Sequence, residues 1–81
     1  MNDYMLVTYT AFSLGRMSIR RVVIASSTWE MAQELILSKA RKYFHPNLDK
    51  LIPEFGSYII PVPSENTSNI FVTIEHIDEV V

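Results

Sequence analysis

Two stretches near the N-terminus have the residue pattern of β-strands. Residues 4–12 (YMLVTYTAF) and 17–25 (MSIRRVVIA) are rich in β-branched and aromatic side chains, which favour strands. Between them lie Ser13, Leu14 and Gly15. A three-residue loop with glycine in the left-handed conformation is a common hairpin connection. The sequence therefore predicts an N-terminal β-hairpin with a three-residue loop.

This loop length determines which hairpin residues lie opposite each other. Phe12 is then opposite Arg16, and side chains sort by parity onto two faces of the hairpin. The odd-numbered face is the more apolar and is the predicted core side; it contains Met5, Val7, Tyr9, Ala11, Met17, Ile19, Val23 and Ala25. Arg21 also falls on this side, where an unpaired charge is costly. We therefore expect a structural ion pair with Glu34 or Glu75, with a functional anion site as the alternative.

The even-numbered face of the hairpin is predicted to point outwards, away from the core. It carries more apolar area than a small isolated protein usually exposes. Arginine and tyrosine are interspersed with these apolar residues, and both are enriched at protein interfaces. The predicted interface residues on this face are Tyr4, Leu6, Phe12, Arg20, Val22 and Ile24.

Residues 26–44 (SSTWEMAQELILSKARKYF) have the periodicity of an amphipathic helix. The apolar stripe at 100° per residue contains Trp29, Ala32, Ile36, Ala40 and Tyr43, flanked by Leu37 and Phe44. Ser27 and Glu30 have the spacing of a capping box, so Ser27 is the predicted N-cap. Pro46 disfavours helical geometry at the residue before it and ends the helix.

Two more strands are predicted in the C-terminal half, after a connector over residues 45–55. Residues 56–63 (GSYIIPVP) form the third strand, with Pro61 and Pro63 at its end or on a free edge because proline has no N–H to donate. Residues 70–77 (IFVTIEHI) alternate as a fourth strand. The ββαββ order predicts the α+β class, a mostly antiparallel four-stranded sheet with one amphipathic helix packed on one face.

The composition is that of a small globular protein. The chain has 81 residues, 48% of them apolar, no cysteine and a net charge of −2. We expect one domain over residues 1–81, with a core that depends on packing alone. No apolar run approaches the length of a membrane span, and the N-terminus lacks the pattern of a signal peptide. The expected location is the cytoplasm.

Few residues are suited to catalysis. His45 and His76 are the two histidines, and the chain contains no glycine-rich phosphate loop and no nucleophile motif. Residues 75–79 (EHIDE) include metal-ligating types, but strand alternation places Glu75 and His76 on opposite faces. We therefore expect a protein without enzymatic activity, metal, cofactor or small-molecule substrate.

The leading functional hypothesis is a non-catalytic protein-interaction module. It is expected to self-associate as a homodimer through its outer sheet face or a strand edge, or to bind another protein. The alternative is weak nucleic-acid binding, in which Phe12 stacks a base and Arg16 and Arg20 contact phosphates. The net charge of −2 and the small number of arginines on this face disfavour it. No membrane partner is expected.

Overall fold

The protein forms a five-stranded antiparallel sheet with one helix against one of its faces. The computed structural model describes residues 3–63 and 68–77. The elements in chain order are β1 (Asp3–Ser13), β2 (Arg16–Ser26), α1 (Trp29–Tyr43), β3 (Ile52–Glu54), β4 (Ser57–Ile60) and β5 (Ile70–Ile77). The strand order in the sheet is β2-β1-β5-β4-β3, and all neighbours are antiparallel. The α+β class is confirmed, whereas the prediction of four strands in ββαββ order is wrong.

The additional strand, β3, lies in the segment predicted to be a connector. It pairs with β4 through a two-residue turn in which Phe55 and Gly56 have φ values of 44° and 81°, as a type I′ turn requires. Pro53 lies next to the hydrogen-bonded pair that closes this turn, so its nitrogen faces the free edge and no ladder bond is lost. β4 ends at Ile60, directly before Pro61, so this proline lies at the strand end, the first of the two positions predicted for it.

The β1–β2 hairpin has a two-residue turn instead of the predicted three-residue loop. Leu14 and Gly15 have φ values of 52° and 78°, and Ser13 lies opposite Arg16. The predicted pairing of Phe12 with Arg16 is therefore wrong by one residue. Because side chains alternate along a strand, this shift moves every β2 side chain to the opposite face.

The observed register exchanges the buried and exposed residues of β2. Ile24 is buried and Val22 packs against the core, although both were predicted to face outwards. The predicted core residues that instead lie exposed on the face opposite the helix are Met17, Ile19, Val23 and Ala25. Arg21 is also exposed on that face, so it requires neither of the carboxylate partners predicted for it.

The core lies between α1 and the helix side of the sheet, the face against which the helix packs. Its strand residues are Met5, Val7, Tyr9, Ala11, Ile24, Ile60, Ile70 and Val72. Tyr9 is fully buried, and its hydroxyl donates a 2.7 Å hydrogen bond to the carbonyl of Ile36 in α1. Its ring also packs against Phe44, with 5.7 Å between ring centroids. Tyr9 therefore joins the middle of β1 to the middle of the helix.

The helix begins after Thr28, one residue later than predicted. Thr28 is the N-cap, and its Oγ1 accepts a 3.2 Å hydrogen bond from the Met31 amide, whereas Ser27 contacts the Met31 sulfur. The buried stripe contains Ala32, Ile36, Leu37 and Ala40. After the helix, Leu48 is buried and its carbonyl accepts a 2.6 Å hydrogen bond from Nε of Arg41. This bond ties the connector to α1.

Candidate protein-interaction surfaces

The sheet face opposite α1 carries a broad set of exposed apolar side chains, and we call it the open face. Its residues, assigned from the strand pairing, are Tyr4, Leu6, Thr8, Thr10 and Phe12 of β1, Met17, Ile19, Arg21, Val23 and Ala25 of β2, Ile52 and Glu54 of β3, Ser57 and Ile59 of β4, and Phe71, Thr73, Glu75 and Ile77 of β5. The described residues supply no second layer on this side, because α1 packs on the other face.

One row of the open face crosses all five strands. From β2 to β3, the row contains Ile19, Thr10, Phe71, Ile59 and Ile52. Ile19, Phe71 and Ile52 are between 42% and 47% exposed. Next to the row, Phe12 packs edge-on against Phe71, with 6.4 Å between ring centroids. Apolar side chains grouped in this way, unlike singly scattered ones, are typical of an interaction surface.

The structure divides the predicted interface residues between the two faces. The open face contains, as predicted, Tyr4, Leu6 and Phe12. The helix side contains, contrary to the prediction, Arg20, Val22 and Ile24. Sequence reasoning missed Ile19 because the three-residue loop placed it in the core. A charged residue, Arg21, on the presumed core side was the available signal that the β2 register was wrong.

The residues predicted for nucleic-acid binding do not form one surface. Arg16 and Arg20 lie on the helix side, whereas Phe12 lies on the open face. The Arg20 guanidinium is 4.0 Å from the centroid of the Tyr43 ring, and the Lys42 amine is 5.6 Å from the same centroid. A base stacked on Phe12 and phosphates bound by Arg16 and Arg20 would therefore lie on opposite sides of the sheet.

His45 lines a small cleft between the hairpin and the C-terminal end of α1. The cleft has a volume of about 190 Å³, and the polar residues along it are Ser13, Ser18, Tyr43 and His45. Nδ1 of His45 accepts a 3.1 Å hydrogen bond from the Asn47 amide, which holds the ring against its own loop. Ligand sites usually have volumes of roughly 300–1,000 Å³, so this cleft is smaller than a typical substrate or cofactor site.

The second histidine lies at the other end of the sheet. His76 is on the helix side of β5 and Glu75 is on the open face, as strand alternation predicts. Asp78 and Glu79, the other members of the acidic cluster, lie outside the described residues. Within residues 3–63 and 68–77, no three His, Cys, Asp or Glu side chains are grouped so that they could hold a metal ion.

The outer edge of β2 is the second exposed surface, and we call it the β2 edge. The two-residue turn makes Ser13 and Arg16 a hydrogen-bonded pair, and such pairs recur at every second residue of an antiparallel ladder. The even-numbered residues of β2 therefore bond to β1. The odd-numbered residues from 17 to 25 direct their N–H and C=O groups outwards. The strand has three arginines and no acidic residue.

In the part of the chain that the structure describes, no helix is long and apolar enough to cross a membrane. The chain matches no protein-family model, no curated protein and no solved structure.

Proposed function

We propose that this chain is a non-catalytic protein-interaction module that self-associates as a homodimer through its open face. The observation that carries the proposal is the apolar row containing Ile19, Phe71 and Ile52, which remains exposed along the sheet. Removing apolar surface from water is favourable by about 25 cal/mol per Å². A second sheet laid on this row would complete a two-sheet sandwich.

The open face has enough area for a weak homodimer. The five strands have between three and eleven residues; with strands about 4.8 Å apart and about 3.3 Å per residue, they cover roughly 500–600 Å². Two copies would then bury about 1,000 Å² in total, which is near the lower limit for a specific interface. We therefore expect a dissociation constant in the micromolar range, since interfaces of this small size are typical of weak, transient complexes.

The charges of the open face are compatible with a second copy. The face carries one cation, Arg21, and two anions, Glu54 and Glu75. In a two-fold symmetric pair each contact occurs twice, so Arg21 of one copy can lie near a glutamate of the other. Pairing two β2 edges would instead bring six arginines together without a carboxylate on either strand. The charges therefore favour self-association through the open face over pairing of two β2 edges.

Sedimentation velocity over a range of protein concentrations tests this proposal. The native chain should shift from its 9.3 kDa monomer mass towards twice that mass as concentration rises. Phe71→Lys and Ile19→Lys should each weaken the dimer by about tenfold or more, which corresponds to about 1.4 kcal/mol. Met31→Lys is the matched control, because Met31 is exposed on the helix and undergoes the same chemical change. Circular dichroism confirms that each variant is folded.

Two results would contradict the homodimer. One is a monomer at every concentration, and the other is a dimer that tolerates both lysine substitutions.

Titration with a labelled single-stranded oligonucleotide tests the alternative function, nucleic-acid binding. Binding that falls steeply with salt and is lost in Arg20→Ala would favour a nucleic-acid-binding protein instead.

A further inference from the structure

We propose that the β2 edge binds an extended acidic segment of another protein, which adds to the sheet as a sixth strand. This proposal shares with the proposed function only the premise that the chain binds protein. It uses the backbone edge of β2, whereas the homodimer uses side chains of the open face. The two interactions can therefore succeed or fail separately.

The β2 edge is long, and no other strand in the part of the chain that the structure describes pairs with it. β2 has 11 residues, and those at positions 17, 19, 21, 23 and 25 each present an outward N–H and an outward C=O. The opposite edge strand, β3, has three residues, and one of them is Pro53. A long exposed edge is a template for pairing, and extended peptides bind such edges through main-chain hydrogen bonds.

The side chains along this edge carry positive charge. Arg16 and Arg20 lie on the helix side of β2 and Arg21 lies on the open face, so the acidic side chains of an added strand would face Arg16 and Arg20 on the helix side. Lys42 extends the cationic surface on the helix side, because Lys42 and Arg20 both lie by the Tyr43 ring. Opposite charges on neighbouring strands stabilise pairing, and like charges directly opposite destabilise it. The edge is therefore complementary to an acidic segment.

The same features disfavour other occupants. A second β2 strand would bring further arginines to the contact and no carboxylate. A nucleic acid cannot continue the alternating main-chain ladder of a sheet, and Phe12 lies on the face away from Arg16 and Arg20. An extended peptide satisfies both the outward backbone groups and the arginines.

The pattern of β2 also specifies the residues of the added strand. On the helix side, residues opposite Arg16 and Arg20 should be acidic. On the open face, residues opposite Ile19 and Val23 should be β-branched, because they would extend the apolar surface. The expected partner segment thus alternates acidic and β-branched residues over a usual strand length of about five to eight residues.

A fluorescence anisotropy titration provides the test. The probe is a labelled peptide of alternating Glu and Val, about eight residues long to match a strand, and the control peptide has Lys in place of Glu. The native chain should bind the Glu peptide and not the Lys peptide. Arg20→Glu should weaken binding by about tenfold or more.

Two substitutions at one position separate backbone pairing from side-chain contact. Val23→Pro removes an outward N–H but no β1–β2 hydrogen bond, as proline on an edge strand allows. Val23→Thr keeps the N–H and a β-branched side chain. We expect the proline variant to lose binding by about tenfold and the threonine variant to retain it.

Amide hydrogen exchange of the unmodified chain gives a second readout that does not depend on how Val23→Pro folds. Bound peptide should protect the outward amides of Ile19, Arg21 and Val23, whereas the even-numbered β2 amides are already bonded to β1. The proposal is overturned by absence of binding, by equal binding of the Lys peptide, or by protection elsewhere. It is also overturned if an oligonucleotide, and not the Glu peptide, protects these amides. None of these results changes the oligomeric state measured without peptide, which tests the homodimer separately.

Discussion

At the residue scale, Tyr9 is the side chain that connects the two layers of the fold. Its ring is buried in the core and its hydroxyl donates to the Ile36 carbonyl. Tyr9→Phe keeps the ring and removes this hydrogen bond, so the free energy of unfolding should fall by about 1 kcal/mol. Tyr4→Phe is the matched control, since Tyr4 lies half-buried on the open face. Urea denaturation of both variants measures the difference, and equal effects would contradict this role of Tyr9.

Tyr9 also determines how stability responds to alkaline pH. Burial raises the pKa of Tyr9 well above its ordinary value of 10.0, because the phenolate would be poorly solvated, and nearby Tyr43 raises it further. Above pH 10 the unfolded chain loses this proton while the folded chain keeps it, so stability falls as pH rises. Below pH 10 the contribution is constant. Tyr9→Phe should reduce the alkaline decline in the urea midpoint, and an unchanged decline would contradict this assignment.

At the scale of elements, two residues are candidates for the N-cap of α1. The sequence favours Ser27, whereas the structure assigns Thr28, whose hydroxyl accepts from the Met31 amide. Thr28→Ala should therefore lower the free energy of unfolding by about 1 kcal/mol, as loss of an N-cap usually does. Ser27→Ala should change it by less than about 0.5 kcal/mol, as for a surface residue. Thermal or urea denaturation compares the two, and the reverse order of effects would restore Ser27 as the cap.

The hairpin register can be tested with paired cysteines, because the native chain has none. Thr10 lies opposite Ile19 in a pair without mutual hydrogen bonds, where Cα atoms are about 4.5 Å apart and a disulfide fits. Thr10→Cys with Ile19→Cys should therefore oxidise readily. The three-residue loop would instead place Ser18 opposite Thr10, so Thr10→Cys with Ser18→Cys is the control. Preferential oxidation of the control pair, measured by free-thiol titration, would contradict the observed register.

The sequence predicts the longer strands and the helix, and it misses the hairpin register and the short strand β3, which depend on turns. α1 and β5 are recognised because their apolar residues repeat with helix or strand spacing over eight or more residues, and β1 is recognised from its β-branched and aromatic composition. The hairpin turn was predicted wrongly because of Leu14. A bulky residue at positive φ is unusual, so the sequence favours a loop in which Gly15 alone has that conformation. β3 has three residues, one of them Pro53, and is too short for any periodic signal.

The dependence of strand register on the turn also explains which residues of the candidate surfaces were predicted. Tyr4, Leu6 and Phe12 were assigned to the outer face from the alternation of β1 alone, which does not depend on the loop. The β2 residues were assigned through the loop length, so its one-residue error moved Arg20 and Ile19 to the wrong faces. The row across the sheet could not be predicted because strand order is not encoded in any local pattern.

At the scale of the whole molecule, β2 contributes to both candidate surfaces, one apolar and one cationic. The open face carries the exposed apolar row, and the β2 edge carries three arginines. The odd-numbered side chains of β2 belong to the first surface, and its outward backbone groups together with Arg16 and Arg20 belong to the second. A two-fold dimer through the open face would present two β2 edges, so a partner with two acidic segments would gain in apparent affinity through bivalent binding.

The most direct test of self-association through the open face is a dilution series of amide NMR spectra of the isotope-labelled chain. We predict that signals of Thr10, Ile19 and Phe71 shift as concentration rises, because these residues lie in the row that a second copy would cover. Signals of Met31 and Ser38, exposed on the helix, should stay constant. Spectra that do not change with concentration, or shifts confined to the helix, would contradict the proposed homodimer.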